Sequence, residues 1–195
     1  MPSVRIVHNS SLFSAPPNSI LIHACNTVGS WRSGVAAAFK AHYPGAHSAY
    51  VSACSSGVSV GSTLLIPPQA CDVAAGRQHW IACLFTSARY GKDVDAPETV
   101  LKNTRGAMED LLWQVEALEI ADGGDGVEKD GGGRPGEWHA AKINSVRFRV
   151  PWEETVGVVE EVLEGKGREV VVYEYDEVAA ADAGRGGRGK GRGRA

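Results

Sequence analysis

The sequence has no cysteines at metal-binding spacing. Its four cysteines, Cys25, Cys54, Cys71 and Cys83, lie far apart, and no C-x-x-C pair occurs. That argues against the common zinc modules and the thioredoxin-like redox motif. It points to four reduced, mostly buried thiols in a cytoplasmic and/or nuclear protein. The histidines, His8, His23, His42, His47, His79 and His139, show no ligand spacing either, so neither metal nor cofactor is expected. No apolar run approaches the length of a membrane span. The first residues, MPSVRIVHNSSLF, have no charged stretch leading into a long apolar core, so a secretory leader is not expected. Positive charge is scarce outside the C-terminus. Arg185, Arg188, Lys190, Arg192 and Arg194 fall in the last eleven residues, and without them 15 basic residues face 23 acidic ones. An acidic folded part does not suit a nucleic-acid surface.

What is present fits one domain with a real core: 195 residues, 43% hydrophobic and 22% charged. Expected are a strand near Ser3–Val7, a core strand beginning at Ile20, a helix over Val35–Tyr43 ended by Pro44-Gly45, and a helix over Ala46–Ser55. Then come a strand over Ser62–Ile66, a loop over Gln69–Gln78 and a strongly apolar strand over His79–Ser87. Asp95 with Glu98 reads as the start of a long helix, whose Leu101, Met108, Leu111, Leu112, Val115 and Leu118 share one face. A weak strand over Glu137–Ile143, a helix over Trp152–Leu163 and a strand over Arg168–Tyr175 complete an α/β order.

Two segments lack the composition to fold. Residues 121–136 are rich in glycine and aspartate and read as a surface insertion; the calcium-loop spacing is absent. Residues 179–195 alternate arginine and glycine. Gly184, Gly186 and Gly189 match G-x-G-x-x-G, but no βαβ unit surrounds them. Such a tail either makes a weak contact with RNA or is simply solvated. The folded domain is therefore expected over 1–178, as a monomer without membrane contact.

The stretch from Ile20 to Tyr43 is where chemistry is expected. An apolar strand runs into His23, Ala24, Cys25, Asn26 and Thr27, then a loop with Gly29, Ser30, Ser33 and Gly34, then an alanine-rich helix. In α/β sheets ligands bind beyond the carboxyl ends of the strands. A helix start offers unpaired N–H groups and a positive dipole end to a phosphate. Asn26 can both donate and accept, so it either holds a ligand or caps the loop. His23 exchanges a proton near neutral pH, yet a lone histidine ending a strand is more often buried structure. Cys25 is either a buried thiol or a thiol close to the active loop, for which His23 would be the base. Thr86-Ser87 would face the same crevice.

The run HACNTVGSWRSGVAAAFKAHYPGAHSAYVSAC, with Leu84-Phe85-Thr86-Ser87, Ile143-Asn144-Ser145 and Val150-Pro151-Trp152-Glu153-Glu154-Thr155, resembles the fungal ADP-ribose 1″-phosphate phosphatase branch of the macrodomain family. The resemblance implies a three-layer α/β/α sandwich with a mixed central sheet. It implies an ADP-ribose derivative as ligand, with the pyrophosphate over the loop from Gly29 to Ala36, in which Trp31, Arg32, Ser33, Gly34, Val35 and Ala36 are the expected contacts. It also implies His23 as the catalytic acid or base and Asn26 at the distal ribose. By the same resemblance Asn9, Ser10 and Ser11 stand where the family grips adenine, although these residues equally read as a plain Asx or Ser turn, and Asn144, Ser145, Val146, Arg147, Phe148, Arg149 and Val150 stand where it wraps the distal phosphate and ribose. There the family's glycines are missing: Arg147 and Arg149 either supply charged donors instead or mark a turn that no longer binds. Alternatives are a non-catalytic ADP-ribose module and an ADP-ribosyl-protein hydrolase. Phe148 occupies roughly the place of the latter's aspartate.

Overall fold

The two apolar runs become neighbouring central strands. The computed structural model describes residues 3–8, 10–121, 133–145 and 147–174. β1 (Val4–Val7) lies at one edge of the sheet. β2 (Ile20–Asn26) and β4 (Trp80–Ser87) run parallel, with Ile20 opposite Trp80 and Cys25 opposite Phe85. β3 (Thr63–Ile66) closes the other edge, antiparallel to β4. With β5 (Trp138–Ala141) and β6 (Val170–Tyr173), the sheet order is β1-β6-β5-β2-β4-β3.

Side chains alternate across each strand, so β2 feeds two cores. Ile20 and Ile22 pack with Met108 and Leu111 of α4 (Pro97–Ala121) and Val159 of α5 (Trp152–Leu163). Leu21 and Cys25 pack with Phe39 and Tyr50, which come from α1 (Gly34–His42) and α2 (Pro44–Ser56). Burial of each large apolar side chain contributes about 1.5–3 kcal/mol. Helices on both faces of a mixed sheet make the three-layer α/β/α sandwich.

Several boundaries differ from expectation. Pro44 opens α2 rather than ending α1, because proline at the first helical position loses no hydrogen bond there. The expected loop over Gln69–Gln78 contains a short helix, α3 (Ala70–Ala74). Its Asp72 is buried, and its carboxylate accepts the Gly45 and Ala46 N–H groups, each at 3.0 Å, capping α2 from a distance in sequence. The Asp95 carboxylate accepts the Ala88 N–H at 2.8 Å, which ties the end of β4 to the approach to α4. Leu118 of α4 is exposed. Most of the 121–136 insertion and all of the 179–195 tail lie outside the described residues.

Candidate functional site

The carboxyl ends of β2, β5 and β6 open onto one cavity of about 360 Å³. That is within the range of small-molecule sites, roughly 300–1,000 Å³. Its floor comes from Ala24, Cys25 and Asn26, and one wall from the loop and helix start at Ser30–Ser33, Val35 and Ala36. The opposite wall follows β5: Ala141, Lys142, Ile143, Asn144, Ser145, Arg147 and Phe148. Tyr90, after β4, and Glu174, after β6, complete it.

Asn26 shapes the loop. Its side-chain carbonyl accepts the N–H groups of Val28 at 3.1 Å and Ser30 at 3.3 Å, and its amide donates to the Ser30 carbonyl at 2.9 Å. The Tyr50 hydroxyl donates to the Asn26 backbone carbonyl at 2.6 Å. The loop-capping reading of Asn26 is thus realised at the cavity edge itself. Trp31 is buried and stacks on Tyr50, with ring centres 4.9 Å apart, which fixes the turn into α1. Ser33 precedes α1 without spending its side chain on a cap. A helix start leaves its first N–H groups without carbonyl partners one turn back. Those of residues 34–36 stand beside the cavity wall. Gly34 takes φ +58°, a left-handed value that glycine adopts freely.

The electrostatics favour an anion. Arg32, Lys142 and Arg147 line the cavity against one carboxylate, Glu174. Lys142 Nζ donates to Glu174 Oε1 at 2.5 Å, and His8 Nδ1 lies 2.9 Å from Oε2. The Lys142 bond and the His8 contact hold the Glu174 carboxyl below its ordinary range. Arg32 and Arg147 border the hollow without filling it. Asn144 is 3% exposed; its amide donates to Thr104 Oγ1 at 2.8 Å, and its buried side-chain carbonyl has no partner among the described residues.

His23 is placed differently from expectation. It is 0% exposed, its ring stacks on Phe39 at 4.1 Å and meets Trp31 edge-on at 4.7 Å, and it contributes nothing to the cavity wall. Alternation along β2 turns it under α1, three residues short of the strand end. Ser87 is buried too; its hydroxyl accepts the Asp95 N–H at 3.1 Å and does not reach the cavity. Ser10 and Ser11 are exposed and outside it, and Ser11 Oγ accepts the Phe13 N–H at 3.3 Å as a plain turn cap. Arg149 takes φ +60° and donates to the Gly91 carbonyl at 3.4 Å, outside the cavity. Val150 is buried beside Phe148 and Val100. Asn9 and Val146 lie outside the described residues. Tyr90, Ala141, Lys142 and Glu174 were not expected. Lys142 and Glu174 follow adjacent parallel strands, so the pair becomes visible only once β5 and β6 are known to be neighbours.

Among the described residues, one group of potential metal ligands converges: His23, Cys25 and Cys83, within 4.8 Å of one another. The Cys25 sulfur lies 3.6 Å from Nδ1 and 3.5 Å from Nε2 of His23. A sulfur equidistant from both nitrogens sits against the ring, away from either lone pair, so this arrangement is not a preformed coordination site.

Residues 22–159 match the family described as Macro domain. The chain belongs to that family. An ADP-ribose 1″-phosphate phosphatase of Chaetomium globosum is 40% identical over 161 residues, covering 80% of this chain and 82% of the relative. One of Aspergillus fumigatus is 36% identical over 201 residues, covering 88% and 96%. Among solved structures, the macrodomain of Thermus aquaticus DarG superposes with a TM-score of 0.65 at 25% identity, over 88% of this chain and 97% of that one. This macrodomain therefore places its cavity where open α/β sheets bind ligands, at the strands' carboxyl ends.

Proposed function

We propose that this chain hydrolyses ADP-ribose 1″-phosphate to ADP-ribose and phosphate. The observation that carries the reading is a cation-lined cavity at the start of α1, in a chain closely similar to relatives bearing that activity. Phosphoryl transfer to water is catalysed chiefly by positioning and charge neutralisation. The N–H groups of residues 34–36 hold the pyrophosphate, and Arg32 and Arg147 offset charge on the departing phosphate. Asn144 lines the wall opposite the α1 start. Asn26 is a positioning residue, which holds the loop, and His23 supports Trp31 from below. Phosphate release by the purified chain, reduced at least tenfold by Arg147→Ala, is the expected result; binding of ADP-ribose with no release overturns the reading.

One observation favours a second reading, a non-catalytic ADP-ribose module: the histidine expected to move protons is sealed from the cavity. Calorimetric binding without turnover selects it. We also propose a monomer of the cytoplasm and/or nucleus, consistent with four free thiols. A weak RNA contact through the tail belongs to the same proposal. Salt-sensitive RNA affinity, lost on deleting residues 184–195, tests that contact.

A further inference from the structure

Cys25 is part of the floor of the ligand cavity, although it is only 2% exposed. It is not isolated. Cys83 on the neighbouring strand and His23 on its own strand hold their sulfur and nitrogen atoms within 4.8 Å of it and of each other. We propose that Cys25 is a modification site, a thiolate that small peroxides and soft electrophiles reach only through the cavity and that Cys83 supports without forming a disulfide to it.

The reactive form of a cysteine is the thiolate, and its neighbours decide how much of it exists. Burial alone pushes the Cys25 thiol up. The Cys83 thiol and the His23 imidazole outweigh burial and bring it below its ordinary value. Burial pushes Cys83 well up, and Cys25 beside it adds to the shift, so the proton of the pair stays on Cys83. The other titratable groups facing Cys25 are Tyr50 and Cys54 on α2, and burial raises both above their ordinary values. Both therefore remain neutral and do not compete for the negative charge. The cysteine that carries the charge is also the one in the cavity wall; Cys83 is 0% exposed.

Strand register separates this site from a dithiol switch. Cys83 stands opposite His23, and Cys25 stands opposite Phe85. The two cysteines are thus diagonal, two residues out of step. On parallel strands about 4.8 Å apart, two residues of about 3.3 Å rise put diagonal α-carbons about 8 Å apart, beyond the roughly 4.4–6.8 Å that a disulfide spans. The first oxidation product, a sulfenic acid, is therefore not converted into a Cys25–Cys83 disulfide. The Cys25 sulfur attacks one oxygen of hydrogen peroxide, an S–O bond forms and the O–O bond breaks. Hydroxide leaves and takes a solvent proton; sulfur loses two electrons and the peroxide is reduced to water.

The test uses the full chain with Cys54→Ser and Cys71→Ser, which removes the more accessible thiols. It is treated with hydrogen peroxide and dimedone, and the adducts are mapped by peptide mass. Labelling of Cys25 at least tenfold above Cys83, with no loss of two mass units, is expected. Cys83→Ala should move the midpoint of Cys25 alkylation by iodoacetamide to higher pH. A Cys25–Cys83 disulfide, or labelling of Cys25 only after unfolding in urea, overturns the proposal. So does an unmoved alkylation midpoint in a Cys83→Ala chain that still melts cooperatively. An ADP-ribose arm rests on the proposed function: saturating ligand should slow Cys25 labelling at least tenfold. If ADP-ribose binds and labelling is unchanged, the cavity route is wrong. If ADP-ribose does not bind, the functional reading fails while the peroxide result still decides the thiol.

Discussion

At the scale of single residues, two buried polar side chains do different work. Asp72 is 2% exposed and satisfies the Gly45 and Ala46 N–H groups at the start of α2. Hydrogen bonds to a charged acceptor are worth more than neutral ones, and the orphaned donors would remain buried. Asp72→Ala should therefore cost about 2–4 kcal/mol, read as a lower urea midpoint with an unchanged slope. Asn144 is the opposite case: its buried side-chain carbonyl has no partner among the described residues. Its φ of +65° is one that glycine tolerates. Asn144 lines the cavity, so Asn144→Gly should fold and, by reshaping that wall, weaken ADP-ribose binding about tenfold by calorimetry. Unchanged affinity would mean that this part of the wall meets no ligand group.

At the scale of elements, close packing sets what each helix can carry. Gly106 of α4 sits against the loop before β3, and a β-carbon built there would lie 2.8 Å from the Gly61 carbonyl oxygen. Alanine favours a helix interior by about 1 kcal/mol, but a backbone carbonyl cannot rotate aside as a side chain can. Gly106→Ala should be net destabilising by about 1–2 kcal/mol in chemical denaturation. The elements themselves were largely legible. Ile20–Ile22 and the run around Leu84 read as strands because both faces of a central strand are buried. The long helix read from its repeat of apolar residues. α3 was not legible, since five residues carry no periodicity and its reason for existing is Asp72's bond to α2. The floor and loop of the site were also legible, from Ala24 to Ala36. The place of His23 was not, because strand alternation and the docking of α1, rather than residue type, turn it from the cavity. Lys142 and Glu174 were missed for a related reason: β5 and β6 meet across the chain order, with α5 between them.

At the scale of the whole molecule, acid should weaken the fold in two stages. Burial lowers the His139, His42 and His47 imidazoles from 6.5. Below that value the unfolded chain binds more protons than the folded one, so stability falls as pH drops through this range. The Glu174 carboxyl is lowered from 4.5 by Lys142 and His8. Its contribution is present above 4.5 and is lost as pH falls through the folded-state value. The urea midpoint should decline below about pH 6.5 and decline further below about pH 4.5; a midpoint constant from pH 7 to pH 5 would contradict the histidine contribution. The central claim concerns the cavity between the start of α1 and the turn after β5. It is tested most directly by inorganic phosphate released from ADP-ribose 1″-phosphate by the purified full chain, with ADP-ribose added as competitor. Turnover that ADP-ribose inhibits competitively is predicted; no release at enzyme concentrations that bind ADP-ribose would contradict the account.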